Sequence, residues 1–306
     1  MDSNQEFIVK FKLMSEVLMD YGWFASPYMM GLDFDSLHTF CQALKEQGKV
    51  SDVDKKDIQD RVNDYMLDVM FHPNYRAFYM IRGKDLPHIQ EFSHHLERAV
   101  IHYYKQDYLS CVLCLLPAVE GLLLSLYGWQ YGESRKPSQK ELIGKITERV
   151  DVRFTERYEM YALTVSSFLE KWILSDTRQA DFDVSFLNRH YVLHGMGQGN
   201  FYAASDCHRL FLLFDLLIEM LSIRYEKYYG LIPSDNFNLN IRREYYIALM
   251  NGSMTQKDMV AFEKTLMNEH KNFHEEKNPP NWTNLELKHM LKMMEIFESR
   301  NRIKRE

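Results

Sequence analysis

Apolar residues return along most of the chain at three- and four-residue steps, the spacing that lines up one face of an α-helix. Phe7, Phe11, Met14 and Leu18 mark the first such stripe. Ser51 stands before Asp52 and Asp54, an N-cap with acids in the first turn. Val62, Tyr65, Met66, Val69 and Met70 carry that stripe on until Pro73 ends it. Ile89, Phe92, Leu96, Val100, Tyr103 and Tyr104 predict a helix between His88 and Lys105. The most apolar stretch, about Tyr108 to Tyr127, predicts a helix kinked at Pro117, because proline removes one intrahelical donor. Gly128 and Gly132 mark its exit. Pro137 and Ser138 open a shorter, basic helix reaching about Val150. Further helices follow over Tyr158 to Leu174, within Asp181 to Gly195, and over Ala203 to Tyr229, the last with Leu210, Leu213, Phe214, Leu217 and Leu221 on its apolar face. Asn236 to Glu306 predicts about three more, broken at Gly252 and at Asn278-Pro279-Pro280. No run alternates with the period of two that a half-buried strand requires.

The pattern therefore predicts an all-α fold. Breaks near Gly83–Pro87 and Pro233–Asn236 divide it into an N-terminal helical segment (1–85), a central unit (86–235) and a C-terminal helical segment (236–306). Composition supports the fold class: 13 Gly and 8 Pro in 306 residues are too few for a turn-rich β protein. A net charge of −6 excludes a globally basic nucleic-acid coat, so any contact with RNA needs a local basic groove. Four cysteines (Cys41, Cys111, Cys114 and Cys207) are too sparse for a disulfide scaffold. The first residues lack the basic and apolar regions of a signal peptide. The longest apolar stretch, Leu109–Leu126, is interrupted by Ser110, Pro117, Glu120 and Ser125. Together these features predict a soluble cytoplasmic protein with no membrane partner.

Candidate chemistry concentrates in Phe186-Leu187-Asn188-Arg189-His190-Tyr191-Val192-Leu193-His194-Gly195. An Arg followed five or six residues later by His occurs twice, at Arg189/His194 and Arg82/His88, no more often than chance provides. Context separates the two. Arg82/His88 spans Gly83 and Pro87 and cannot sit on a regular helix. Arg189/His194 falls late in the predicted helix that ends in glycine. It follows an apolar helix carrying the acid Glu120. Arg and His suit RNA cleavage. A histidine near its ordinary pKa of about 6.5 can move the proton of a ribose 2′-hydroxyl, and a permanent guanidinium can brace the anionic phosphorane.

The string Asn-Arg-His-x-x-Leu-His-Gly resembles the motif of the HEPN superfamily, all-α proteins of which many are ribonucleases: Arg, a polar residue, three variable residues, then His. Arg189, His190 and His194 match it. Tyr108–Leu123, with Glu120 before an apolar pair, resembles the earlier helix of that family, with Pro117 as a departure; the resemblance spans roughly residues 88–230. It implies a HEPN-like helical bundle with additional N- and C-terminal helices. The implied activity is metal- and cofactor-independent RNA cleavage by a homodimer with a composite active site, leaving 2′,3′-cyclic phosphate and 5′-hydroxyl ends. Family habit suggests a toxin or antiviral defence role, with a regulatory or antitoxin protein as a possible partner. The catalytic residues would be Arg189, for the transition state, and His194, for proton transfer. His190 positions phosphate or packs at the interface, Asn188 caps or contacts RNA, and Tyr191 stacks on a base or packs against the partner. Glu120 is the structural partner of Arg189 or of another buried base, or it acts directly. Arg135, Lys136 and Lys140, in a basic stretch, would guide single-stranded RNA. The alternative is a non-catalytic HEPN-like scaffold that binds RNA, nucleotides or a protein.

Other motifs are weaker. Cys111-x-x-Cys114 lies in an apolar helix with no second pair, so it predicts buried thiols rather than structural zinc. His270 and His274 share a helical face among charged neighbours and predict a solvated surface. Gly195-x-Gly197-x-Gly199 follows a helix, not a strand, and predicts a linker rather than a dinucleotide loop. No metal ligand set is evident.

Overall fold

The structure, a computed structural model, describes residues 3–27, 32–48, 52–70, 72–130, 132–133, 135–175, 187–193, 202–227 and 237–252. All regular structure among these residues is helical, and none is strand. The helices are α1 (Ser3–Met19), α2 (Leu32–Gln47), α3 (Asp52–Met70), α4 (Pro73–Lys84), α5 (Ser93–Tyr104), α6 (Tyr108–Tyr127), α7 (Gln139–Ile146), α8 (Thr155–Phe168), α9 (Arg189–Leu193), α10 (Ala204–Arg224) and α11 (Phe237–Met250). A 3₁₀ turn (Gln90–Phe92) leads into α5, and a π-turn (Leu169–Ile173) continues α8.

Local signals explain several boundaries. Asp107 accepts from the Ser110 amide at 3.2 Å and opens α6. Gly128 closes it in the left-handed region at φ 89°. Ser138 and Glu141 form a reciprocal capping box at α7. Pro73 does not merely end α3: it is the first residue of α4, where its missing N–H costs nothing. Pro117 sits inside α6 on its exposed side, and the helix runs on through it.

α10 is the centre of the bundle. Nearly every residue from Ser205 to Ile223 is buried, so it has no wet side despite its polar residues. It packs against α3, α4, α6 and α8, while α5 lies on α6, α1 on α2 and α8, and α11 on α4 and α5. One continuous cluster of buried side chains runs from Ile8 to Leu249 and so crosses positions 83–87. Each large apolar side chain buried there contributes about 1.5–3 kcal/mol.

Several charged residues within this core are paired. Arg76 of α4 donates to Asp215 of α10, with Nη1 3.0 Å from Oδ1. One turn further along α10, Arg82 donates to Glu219, with Nη2 2.9 Å from Oε2. Glu97 of α5 takes Arg242 at 3.1 Å and the Tyr246 hydroxyl from α11. Such pairs fix register more than they add stability, because both ions have lost their water.

α6 is, among the described residues, the one helix long and apolar enough to cross a bilayer, and half of that stretch is buried inside the bundle.

Candidate functional site

α6 presents Glu120 at the edge of the core, with its side chain 16 % exposed. Two cations converge on one of its oxygens: Nη1 of Arg189 forms an ion pair with it at 3.0 Å, and Nζ of Lys136, from the stretch before α7, donates to it. A carboxylate leaving water needs such partners. Two cations on one anion leave a net positive cluster, and Arg189 remains 23 % exposed, with further N–H groups on a guanidinium that has five. The arrangement can receive an anionic oxygen.

Arg189 occupies the first turn of α9, not a late position in the helix expected within Asp181 to Gly195. Leu187 lies in a turn and Asn188 outside the helix, so α9 starts at Arg189; residues 181–186 lie outside the described residues. The cause is local. Asn188 is fully buried, and its amide donates to the Ser175 carbonyl at 2.9 Å and to Ser175 Oγ at 3.1 Å. Its own carbonyl accepts the Val192 N–H at 3.1 Å, closing the first helical turn. Leu187 and Val192 are buried on either side and press α9 into the core. A guanidinium at a helix N-terminus meets the positive end of the dipole, which gives Glu120 a second reason to stand beside it.

The remaining candidates fall as follows. His190 and Tyr191 belong to α9, but their side chains lie outside the described structure, as does His194 altogether. Arg135 is exposed and spent on Glu141 at 3.0 and 3.2 Å. Lys140 is exposed on α7. Glu120, Arg189 and Lys136 are thus brought together, with Asn188 supporting from beneath. Cys41, Cys111, Cys114 and Cys207 are free thiols, three of them buried, and no metal-holding group of His, Cys, Asp or Glu occurs among the described residues.

Beside the cluster, α6 exposes an apolar stripe. Leu109 is 52 % and Leu113 41 % exposed, Pro117 follows at the same spacing, and Glu120 comes next. Leu193 of α9, 40 % exposed, lies on the helix that carries Arg189.

A second polar group was invisible to spacing arguments. His88 stands in the left-handed region at φ 69°, which a non-glycine residue seldom adopts. Its Nδ1 lies 2.8 Å from Ser125 Oγ, and its Nε2 lies 2.7 Å from the Tyr225 hydroxyl. Ser125 in turn donates to both oxygens of Glu91 at 3.1 Å. The hydrogen-bonded pairs are 34 to 137 positions apart in the chain, so no local pattern announces them. His88, Glu91 and Ser125 line a cleft of about 460 Å³ with Phe92, Leu124 and Trp129. Burial, partly offset by Glu91, lowers the pKa of His88.

Comparison with protein-family models, with curated proteins and with solved structures finds no match to this chain.

Proposed function

We propose that this protein is a metal-independent endoribonuclease of the HEPN type that acts as a homodimer. The observation that carries the reading is Arg189 held on Glu120 in a net positive cluster, on the face of α6 where the exposed stripe Leu109–Leu113–Pro117 leads up to it. A guanidinium so placed is pre-oriented toward a phosphate, and catalysis gains most from charge that need not reorganise. The apolar stripe offers the contact through which a second copy would bring its own Arg189 and His194 to the same scissile linkage.

In this mechanism His194 takes the proton from the ribose 2′-hydroxyl. The oxygen attacks the adjacent phosphorus, Arg189 neutralises the phosphorane, and the bond to the 5′-oxygen breaks as that oxygen takes the proton back from the protonated His194. The products are a 2′,3′-cyclic phosphate and a 5′-hydroxyl. Lys136 and Lys140 lend charge along the strand. A toxin or antiviral role follows from the resemblance alone. A silent scaffold would hold the same ion pair without turnover, and one assay separates the two. RNA incubated with the protein in EDTA is expected to be cut, with cyclic phosphate ends. Cutting should vanish in Arg189→Ala and in His194→Ala while helicity and oligomeric state persist. Equal cutting by His194→Ala would sink the assignment.

A further inference from the structure

We propose that the cleft at the end of α6 binds an amine-bearing nucleobase, with Glu91 accepting its exocyclic N–H, and that it disfavours uracil. The proposal goes beyond the nuclease reading and does not require turnover.

The walls set the ligand's chemistry. Phe92 and Trp129 supply aromatic surface, and Gly121, which also lines the cleft, allows Phe92 to lie against α6. A methyl group at Gly121 would come within 2.3 Å of the Phe92 ring. Trp129 is held by its indole N–H, which donates to the Arg135 carbonyl at 3.0 Å. Flat aromatic groups fixed at the edge of a cleft favour stacking of a flat ligand. The cleft's volume of about 460 Å³ falls within the range of about 300–1,000 Å³ usual for small-molecule sites.

The hydrogen-bond direction is set by Glu91. An ionised carboxylate only accepts, so the Ser125 hydroxyl donates to it. Ser125 Oγ then accepts from His88 Nδ1–H, and His88 Nε2 accepts from the Tyr225 hydroxyl. Every proton in the row points toward Glu91. Burial keeps His88 in the neutral form this row requires, despite the opposite pull of Glu91. The cleft therefore ends in a held carboxylate with lone pairs to spare, and no Lys or Arg among the described residues ion-pairs with it. An amino group on adenine, cytosine or guanine suits that acceptor. Uracil offers carbonyl oxygens on either side of its single N–H and is repelled.

The neighbourhood excludes a simple organic cation. Gly121 and Leu124 of the cleft are one and four residues past Glu120 on α6, so the cleft adjoins the Arg189–Glu120–Lys136 cluster. Its net positive charge would repel an amine and attract the phosphate attached to a base. Trp129 lies in the cleft and Lys136, seven residues later in the chain, lies on Glu120. Base and phosphate could come from a free nucleotide or from a residue of single-stranded RNA.

Titration with AMP, CMP, GMP and UMP, followed by intrinsic fluorescence, tests the proposal in the full chain. The three amine-bearing nucleotides should quench the signal, with UMP weaker by about tenfold, within the range of a single base-discriminating contact. Trp129→Phe should remove the quenching and so assign it to the cleft. Glu91→Gln, at an exposed position, should bring UMP and AMP to within about threefold of each other, since its amide can serve a carbonyl. Ser125→Ala should weaken binding while keeping the order. A single-stranded oligoadenylate that binds far more tightly than AMP would name RNA as the source, and equal affinity would name the free nucleotide. Equal binding of AMP and UMP by the unmodified chain, undiminished discrimination in Glu91→Gln, or no binding of any probe would each overturn the proposal. Binding with no RNA cleavage would overturn only the nuclease reading. Cleavage with no base preference in binding would overturn only this one.

Discussion

Glu120 serves two cations at once, so the members of its cluster respond differently to substitution. Removing Arg189 leaves Glu120 still paired with Lys136, and the loss of one partly exposed pair whose acid keeps a second partner costs about 0–1 kcal/mol. Removing Glu120 leaves Arg189 and Lys136 side by side without their common anion. That should cost more, about 1–2 kcal/mol. Urea unfolding of Arg189→Ala and Glu120→Ala should show this order. The reverse order would mean that Lys136 does not hold Glu120. The same asymmetry makes Arg189→Ala a clean test of activity, because the fold keeps its partner for the acid. His208 gives a second single-residue prediction. Burial, aided by Arg76, lowers its pKa to about 3. A folded pKa below the unfolded one means that only the unfolded chain takes the proton as pH falls below about 6.5. Stability from a neutral His208 is thus complete above that pH and is lost toward pH 3, at about 1.4 kcal/mol per pH unit. Asp215, raised to about 6 by burial against the pull of Arg76, works in the opposite sense over pH 4–6. The difference between the unmodified chain and His208→Gln isolates the histidine. That difference should shrink at the stated slope between pH 6 and 4 in thermal unfolding, and a pH-independent gap would refute the burial of a neutral imidazole.

α9 has five residues, and a helix so short does not hold itself together in water. Its position rests on anchors: Leu187 and Val192 in the core, and the Asn188 amide on Ser175. Asn188→Ala leaves the Ser175 carbonyl without that donor and should cost about 1–3 kcal/mol. Its sharper signature is local. Amide exchange in α9 should accelerate while α6 and α10 remain protected, and cleavage should fall although Arg189 and His194 are intact. Uniform loss of protection would show instead that α9 unfolds only with the whole bundle. Asn188 also marks where reading the chain succeeded and where it stopped. Stretches with their own signals were legible, such as α6 between Asp107 and Gly128, and α7 behind Pro137 and Ser138. The start of α9 was not, because the pull that begins it comes from Ser175, outside the periodic window. α4 escaped for a related reason. Its buried Arg76 and Arg82 break the apolar stripe, and their partners Asp215 and Glu219 lie 139 and 137 residues away.

The all-α architecture follows from features spread along the chain, whereas the sites depend on where distant segments meet. Glu120 was visible as a candidate because it interrupts an apolar run, and Arg189 because the string around it resembles a known motif; that Lys136 joins them, and that His88, Ser125 and Glu91 gather one turn further along α6, required the packed bundle. The same bundle leaves one question of assembly to its surface. Leu109, Leu113 and Pro117 project from a helix whose opposite side is in the core, and Leu193 adds to them from α9. Scattered exposed leucines are ordinary, but a row at four-residue spacing that ends at a charged cluster is what a helix-on-helix contact uses. If two copies meet there, Leu109→Glu with Leu113→Glu places four carboxylates in the contact and should yield monomers in analytical ultracentrifugation. Both positions are exposed, so the thermal midpoint of the isolated chain should hardly move. Loss of RNA cleavage together with the dimer would then mean that catalysis needs the second copy. A variant that becomes monomeric and still cuts would place the entire active site within one chain, and one that stays dimeric would move the interface to another face of the bundle.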